Sequence, residues 1–162
     1  MRICPECGER SDAGACPADG CPTVDEELAR RPAETAELVG RTFGDRYRVD
    51  ALLGQGGMGW VFAARHLQMG HPLALKVMRR ELLLDFTALR RFRREAQACS
   101  RLLHHNTIKV HDFGISADGY PWFVMEYLEG CSLDQELRTR GALPLGRVVR
   151  IASQVCRSLQ EA

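Results

Sequence analysis

The chain has 162 residues, with 22 Lys+Arg against 21 Asp+Glu, a net charge of +1, 45% hydrophobic and 27% charged residues. That is long enough for one ordinary domain, or a small domain with a tail, and too apolar for global disorder. No apolar run approaches the eighteen or so residues of a membrane span, cysteines stand where a signal peptide needs an apolar stretch, and the charge balance points to neither nucleic acid nor membrane as main partner.

The near-neutral total hides an asymmetry. Residues 1–40 carry four Arg against nine acidic residues, whereas 41–162 carry 18 basic against 12 acidic ones. Composition also changes near residue 40, which divides the chain into a small module at 1–22, an acidic linker at 23–40 and a second domain from 41 onward. No internal repeat is visible.

The module contains Cys4-Pro5-Glu6-Cys7-Gly8 and, eight residues later, Cys16-Pro17-Ala18-Asp19-Gly20-Cys21. Four thiolates from two such turns can surround one tetrahedral Zn²⁺, with Gly8 and Gly20 letting the backbone curl round it. Twenty-odd residues bury no useful core, so a metal is the natural source of folding energy. The expected ligands are Cys4, Cys7, Cys16 and Cys21. Because the second turn is Cys-x₄-Cys, Asp19 is an alternative to Cys21; a disulfide pair or free thiols are alternatives to a metal.

A strand over 47–53 leads into Gly54-Gln55-Gly56-Gly57-Met58-Gly59-Trp60-Val61-Phe62. The Gly-Lys-Ser/Thr ending of a Walker loop is missing, and the residues after the glycines read as strand where a dinucleotide-binding turn would open a helix. A glycine turn between two strands is a hairpin whose bare backbone can approach phosphates. Next, Leu73-Ala74-Leu75-Lys76-Val77-Met78 is a short apolar strand with a lysine in its middle. Period two puts Ala74 and Lys76 on one face and Leu73, Leu75 and Val77 on the other. A lysine there requires an acidic partner. The helix that follows, capped by Asp85, carries Leu89, Phe92, Ala96, Cys99 and Leu103 at spacings of three and four, with Glu95 at the edge of the stripe.

Gly54-x-Gly56-x-x-Gly59-x-Val61, then Ala74-x-Lys76, then Arg93-Arg94-Glu95-Ala96 resembles the N-terminal lobe of a protein kinase. Gly-Gly-Met-Gly and Val124-Met125-Glu126-Tyr127-Leu128-Glu129-Gly130 make the likeness greatest to bacterial serine/threonine kinases of the eukaryotic-like type. It covers Tyr47 to Ala162, with one small departure at His104-His105-Asn106, where the family often has His-Pro-Asn. The resemblance implies an α+β fold: a small lobe of five antiparallel strands and one long helix to about residue 128, then two helices of an incomplete large lobe. It further implies that the turn Gly54, Gln55, Gly56, Gly57, Met58 and Gly59 covers ATP phosphates, that Val61 and Ala74 roof the adenine, and that Leu53 also belongs to the nucleotide-binding residues. Lys76, paired with Glu95, would hold the α- and β-phosphates. Met125 would be the gatekeeper, and the Glu126 carbonyl and Leu128 N–H would meet the adenine edge.

Asp112-Phe113-Gly114 looks like the metal-binding triplet of that family but lies upstream of Met125, in a strand expected over 108–113 that turns at Ala117-Asp118-Gly119 into 120–125. It is assigned to a small-lobe hairpin. Helices are expected over 132–140 and 145–162, the second with Val148, Ile151, Ala152, Val155 and Leu159 on one stripe. No His-Arg-Asp with a following Asn occurs, so the resemblance puts the general base and the Mg²⁺ ligands outside these residues, and the polypeptide alone is expected to be inactive. The function expected is the ATP-binding portion of a cytoplasmic serine/threonine kinase acting on protein substrates. The alternative is a truncated, non-catalytic ATP-binding or scaffold protein working through its ribbon and small lobe. A zinc-dependent nucleic-acid binder lacks support, because the Arg79, Arg80, Arg90, Arg91, Arg93 and Arg94 patch has no aromatic interleaving and reads as a solvated face. Cys99, Cys131 and Cys156 are expected to be partly buried thiols.

Overall fold

In the computed structural model, residues 1–29 and 35–161 are described. Three two-residue strands, β1 (Arg2–Ile3), β2 (Arg10–Ser11) and β3 (Val24–Asp25), form an antiparallel sheet in the order β2-β1-β3, and α1 (Glu26–Ala29) follows. The expected module boundary at residue 22 falls short of this sheet, because Val24 and Asp25 pair with Ile3 and Arg2. The far end of the expected linker is also folded: Leu38 is fully buried in the core of the second domain, and Gly40 N–H donates to the Val49 carbonyl at 2.9 Å. Residues 30–34 of that linker lie outside the described residues.

The second domain is built on β4 (Thr42–Phe43), β5 (Tyr47–Gln55), β6 (Gly59–His66), β7 (Pro72–Met78), β8 (Val110–Ile115) and β9 (Pro121–Glu126), all antiparallel, in the order β4-β5-β6-β7-β9-β8. The strand beyond the five expected is β4, a two-residue edge that the sequence is too short to announce. Strand alternation separates the two faces. One face gathers Tyr47, Val49, Trp60, Phe62, Leu73, Leu75, Val77, Trp122 and Val124. Trp122 fills the space over two glycines: a Cβ on Gly44 would stand 2.8 Å from its ring, and one on Gly114 would overlap it.

The other face is covered by α2 (Phe86–Arg101), whose buried Ala88, Leu89, Phe92 and Ala96 pack on Met78 and Phe123. Asp85 caps this helix as expected, accepting from the N–H groups of Thr87 and Ala88. The apolar stripe stops short of the expected Leu103: the helix ends at Arg101, and Leu103 beyond it is 79% exposed. Cys131 and Cys156 are exposed rather than partly buried, and among the described residues no cysteine forms a disulfide.

Ser132 and Gln135 form a capping box on α3 (Leu133–Arg140), and α4 (Leu145–Glu161) follows. The second helix is tied to the loop after α2 by Asn106–Gln154 at 3.1 Å, by Thr107–Ser158, and by Leu103 N–H to Glu161 at 3.0 Å. Val148, Val155 and Leu159 on its stripe are exposed. No helix among the described residues is long and apolar enough to cross a membrane.

One arginine of the expected solvated patch is buried. Arg80 is buried against the Tyr120 ring, 4.2 Å from its centroid, and shares Asp118 (3.4 Å) with Arg41 (2.8 Å). Burial alone would raise the Asp118 carboxyl, but the Ser116 hydroxyl and the Arg41 guanidinium outweigh it and hold the group below its ordinary value of 3.8. A depressed carboxyl contributes stability that is present above 3.8 and lost as pH falls through the lower folded value. Asp118→Asn should therefore cost about 1–2 kcal/mol at neutral pH. Urea melts run from about pH 6 to about pH 2 should show the difference between variant and parent shrinking at the acid end.

Candidate functional site

The β5–β6 hairpin turns through the glycine run, closed by Gly56 N–H to the Gly59 carbonyl at 2.8 Å. The register then sets one row across three strands, with Val61 opposite Gly54 on one side and Lys76 on the other. Beneath the turn lies a cavity of about 430 Å³ lined by Gly54, Gln55, Gly56, Gly57, Met58, Gly59, Val61 and Lys76.

The glycines of the turn divide into two kinds. A Cβ on Gly59 would collide with the Val77 carbonyl oxygen of β7, so the fold itself demands glycine there. A Cβ on Gly54, Gly56 or Gly57 would meet nothing within 4 Å, and none of the three has a positive φ. Neither packing nor backbone conformation requires glycine at these positions, which leaves a bare backbone open to whatever occupies the cavity.

Lys76 emerges from β7 on the α2 side, while Leu73, Leu75 and Val77 join the opposite core, as period two demands. Its Nζ lies 2.6 Å from Glu95 Oε1 and 5.6 Å from the centre of the Phe123 ring. The Lys76 side chain is 19% exposed and that of Glu95 41%, so the pair is wet on the acid's side and contributes about 0–1 kcal/mol to stability. Ala74 is buried opposite Met125, and Leu73 stands opposite Glu126. The Glu126 carboxylate accepts from Lys109 N–H at 2.8 Å, while Leu128 lies past the end of β9 and is 65% exposed. Leu53 is an exposed residue on β5.

Asp112 takes the structural role assigned to it. It sits in β8 and accepts hydrogen bonds from Arg46 (2.7 Å) and the Tyr47 hydroxyl (2.9 Å).

The N-terminal turns hold an internal repeat that the sequence pattern had not disclosed. In the first, Gly8 N–H donates to the Cys4 carbonyl, Glu6 N–H to Cys4 Sγ and Cys4 N–H to the Glu9 carbonyl. In the second, Gly20, Ala18 and Cys16 make the same three bonds to Cys16 and Cys21. Gly8 and Gly20 share a positive φ, +79° and +71°. In this repeat Asp19 stands where the first turn has Cys7, and Cys21 where it has Glu9. Accordingly the ligand atoms of Cys4, Cys7, Cys16 and Asp19 all lie within 4.8 Å of one another, and Cys21 is not in that group. Burial, with the Asp19 carboxylate and Cys16 adding to it, pushes the Cys4 thiol up, while the Cys21 N–H and the surrounding thiols pull Asp19 down to about 2. This donor set of three sulfurs and a carboxylate suits a divalent cation.

A family model for the protein kinase domain matches residues 47–161. The chain belongs to the protein kinase family. It is 49% identical over 132 residues to serine/threonine-protein kinase pkn3 of Myxococcus xanthus, covering 82% of this chain and 24% of that protein. It is 34% identical over 125 residues to serine/threonine-protein kinase PrkC of Bacillus subtilis, covering 77% of this chain and 19% of that protein. Among solved structures, the PknI kinase domain of Mycobacterium tuberculosis aligns with a TM-score of 0.62 at 35% identity, covering 74% of this chain and 49% of that one. The chain thus spans about a quarter or less of the curated relatives' length, and about half of the solved kinase domain.

Two contacts of the kinase lobe escaped the sequence reading: Arg93 forms an ion pair with Glu6, and Arg80 is buried on Tyr120. Neither arginine differs in sequence from its solvated neighbours. The two kinds of glycine should separate in stability measurements. Gly59→Ala should lower the unfolding free energy by roughly 1–3 kcal/mol in urea melts, whereas Gly56→Ala should stay within about 0.5 kcal/mol of the parent.

Proposed function

We propose that this chain is the ATP-binding portion of a serine/threonine protein kinase, which transfers the ATP γ-phosphoryl group to hydroxyls of protein substrates when a large lobe completes it. The observation that carries this reading is the Lys76–Glu95 pair, 2.6 Å long, at the wall of a cavity roofed by glycines that the fold does not need. Bound ATP, with Mg²⁺, would bring the phosphoryl group. Lys76 donates to the α- and β-phosphate oxygens, and Glu95 holds its ammonium in place for that task. Bare backbone at Gly54, Gln55, Gly56, Gly57 and Met58 approaches the phosphates. Leu53, Val61 and Ala74 provide the apolar cover for adenine, Met125 limits the depth of the pocket, and the Glu126 carbonyl and Leu128 N–H orient the base.

Because the pair contributes little to stability, its role in binding can be tested cleanly. Lys76→Met should weaken a fluorescent ATP analogue by roughly tenfold or more while leaving the urea midpoint nearly unchanged. Unaltered affinity would remove Lys76 from the site.

We further propose that the N-terminal module holds one Zn²⁺ through Cys4, Cys7, Cys16 and Asp19. The support is the repeat that puts Asp19 at the position of Cys7 and the mutual approach of these four ligand atoms. Purified chain should carry about one zinc. Asp19→Ala should lower zinc affinity sharply and Cys21→Ser should not; the reverse order would make Cys21 the ligand.

A further inference from the structure

The module is not free of the kinase lobe. Ile3 of β1 and Val24 of β3 share an apolar cluster with Leu83, with Leu84 and Ile115 packed against it. Leu83 and Leu84 are the residues that lead into the Asp85 cap of α2. Two further contacts come from the first cysteine turn itself. Phe86, the first residue of α2, lies on the backbone of Gly8, so that a Cβ there would stand 2.9 Å from its ring. Glu6, between Cys4 and Cys7, pairs with Arg93, whose guanidinium also lies 5.5 Å from the centre of the Phe113 ring.

Arg93 and Glu95 are two positions apart on a helix, about 200° round its axis. The first reaches the module and the second reaches Lys76. The middle of α2 is thus held from two sides, and a displacement of ~1–2 Å, typical of helix shifts in switching proteins, is enough to break a hydrogen bond of ordinary length. The positions of Glu6 and Gly8 depend in turn on Cys4: Glu6 N–H donates to its Sγ at 3.3 Å, and Gly8 N–H to its carbonyl at 3.0 Å. A module this small has too little core to keep that turn closed by packing alone.

We propose that the cysteine module is a metal-dependent brace for the helix that carries Glu95, acting through Glu6–Arg93 and Gly8–Phe86. With the cation bound, the first turn is closed and α2 is clamped in the position that pairs Glu95 with Lys76. Without it, the three sulfurs and the carboxylate lose the charge that draws them together, Glu6 and Gly8 leave the helix, and the Lys76–Glu95 pair is held by the sheet side alone. Metal occupancy then sets nucleotide affinity from outside the nucleotide site. This inference rests on the zinc reading above, and its effect on binding rests on the ATP reading. Glu6 and Arg93 are positioning residues in this scheme.

The test uses the full chain, zinc-loaded and chelator-stripped, with three readouts: amide hydrogen exchange over α2, affinity for a fluorescent ATP analogue, and the emission of Trp60 and Trp122, both buried in the main sheet. Stripping should speed exchange in the first two turns of α2 by about fivefold or more and weaken the analogue by about tenfold, with zinc restoring both. E6R and R93E should each have the same effects with zinc still bound, and the E6R/R93E double variant should recover most of the loss. The recovery separates an ion pair that positions the helix from a mere loss of packing, and the zinc-bound variants carry the test if stripping alters tryptophan emission. Unchanged exchange on stripping, a double variant no better than its parents, or a chain that retains no zinc would each overturn the brace. Faster exchange on stripping in a chain that binds the analogue in neither state would uphold the brace and defeat the ATP reading instead.

Discussion

A lysine in the middle of an apolar strand must be given a partner, and that requirement organises the kinase lobe. Lys76 shares its face of β7 with Ala74, so an acid must come from whatever covers that face. The covering element is α2, and it delivers Glu95 only because several independent features agree. Asp85 starts the helix at the right residue, Leu89 and Phe92 lock it on Met78 and Phe123, and Ala96 permits a close approach beside Glu95. The register Gly54–Val61–Lys76 then carries the glycine turn to the same place. Sheet pairing and helix packing thus meet at one ammonium group.

The pair itself is a weak brace for the fold and a strong constraint on geometry. Its acid is too exposed to add much stability, while the apolar contacts around Phe92 and Phe123 hold the helix against the sheet. The packing that stabilises the fold and the groups that line the cavity are therefore separated within a few ångströms, as they are in the glycine turn. There Gly59 is spent on the approach of β6 to β7, and Gly54, Gly56 and Gly57 are left for the cavity. The module adds contacts to the first half of the same helix, where Phe86 lies on Gly8 and Arg93 pairs with Glu6.

Much of this was legible in the order of residues. Alternation in Leu73-Ala74-Leu75-Lys76-Val77-Met78 identified a strand and the face of its lysine, because side chains of a strand alternate whatever the tertiary context. Asp85 identified the helix start, because the first turn always has unpaired N–H groups to satisfy. The glycine turn, the lysine and the Arg-Arg-Glu-Ala run together carried the family, and the order of Asp112 before Met125 was enough to place it in a small-lobe hairpin.

What escaped was whatever depends on contacts distant in sequence. Leu103 fits the helical spacing as well as Ala96 does, yet the backbone turns extended at Leu102 and leaves it in water. Arg80 and Arg93 read like their neighbours until Asp118, Tyr120 and Glu6 are brought to them. Asp19 and Cys21 are equally plausible ligands in a string of letters, because cysteine count favours one and spacing the other; only the backbone hydrogen bonds of the two turns give Asp19 the place of Cys7. Local periodicity, capping and turn chemistry therefore determined the long strands of the kinase lobe, its long helix and its glycine turn, since each rests on neighbours a few positions apart. Tertiary structure alone decided which arginines are paired, which donors converge at the N-terminus and that the module touches α2, since each needs two segments that chain order keeps apart.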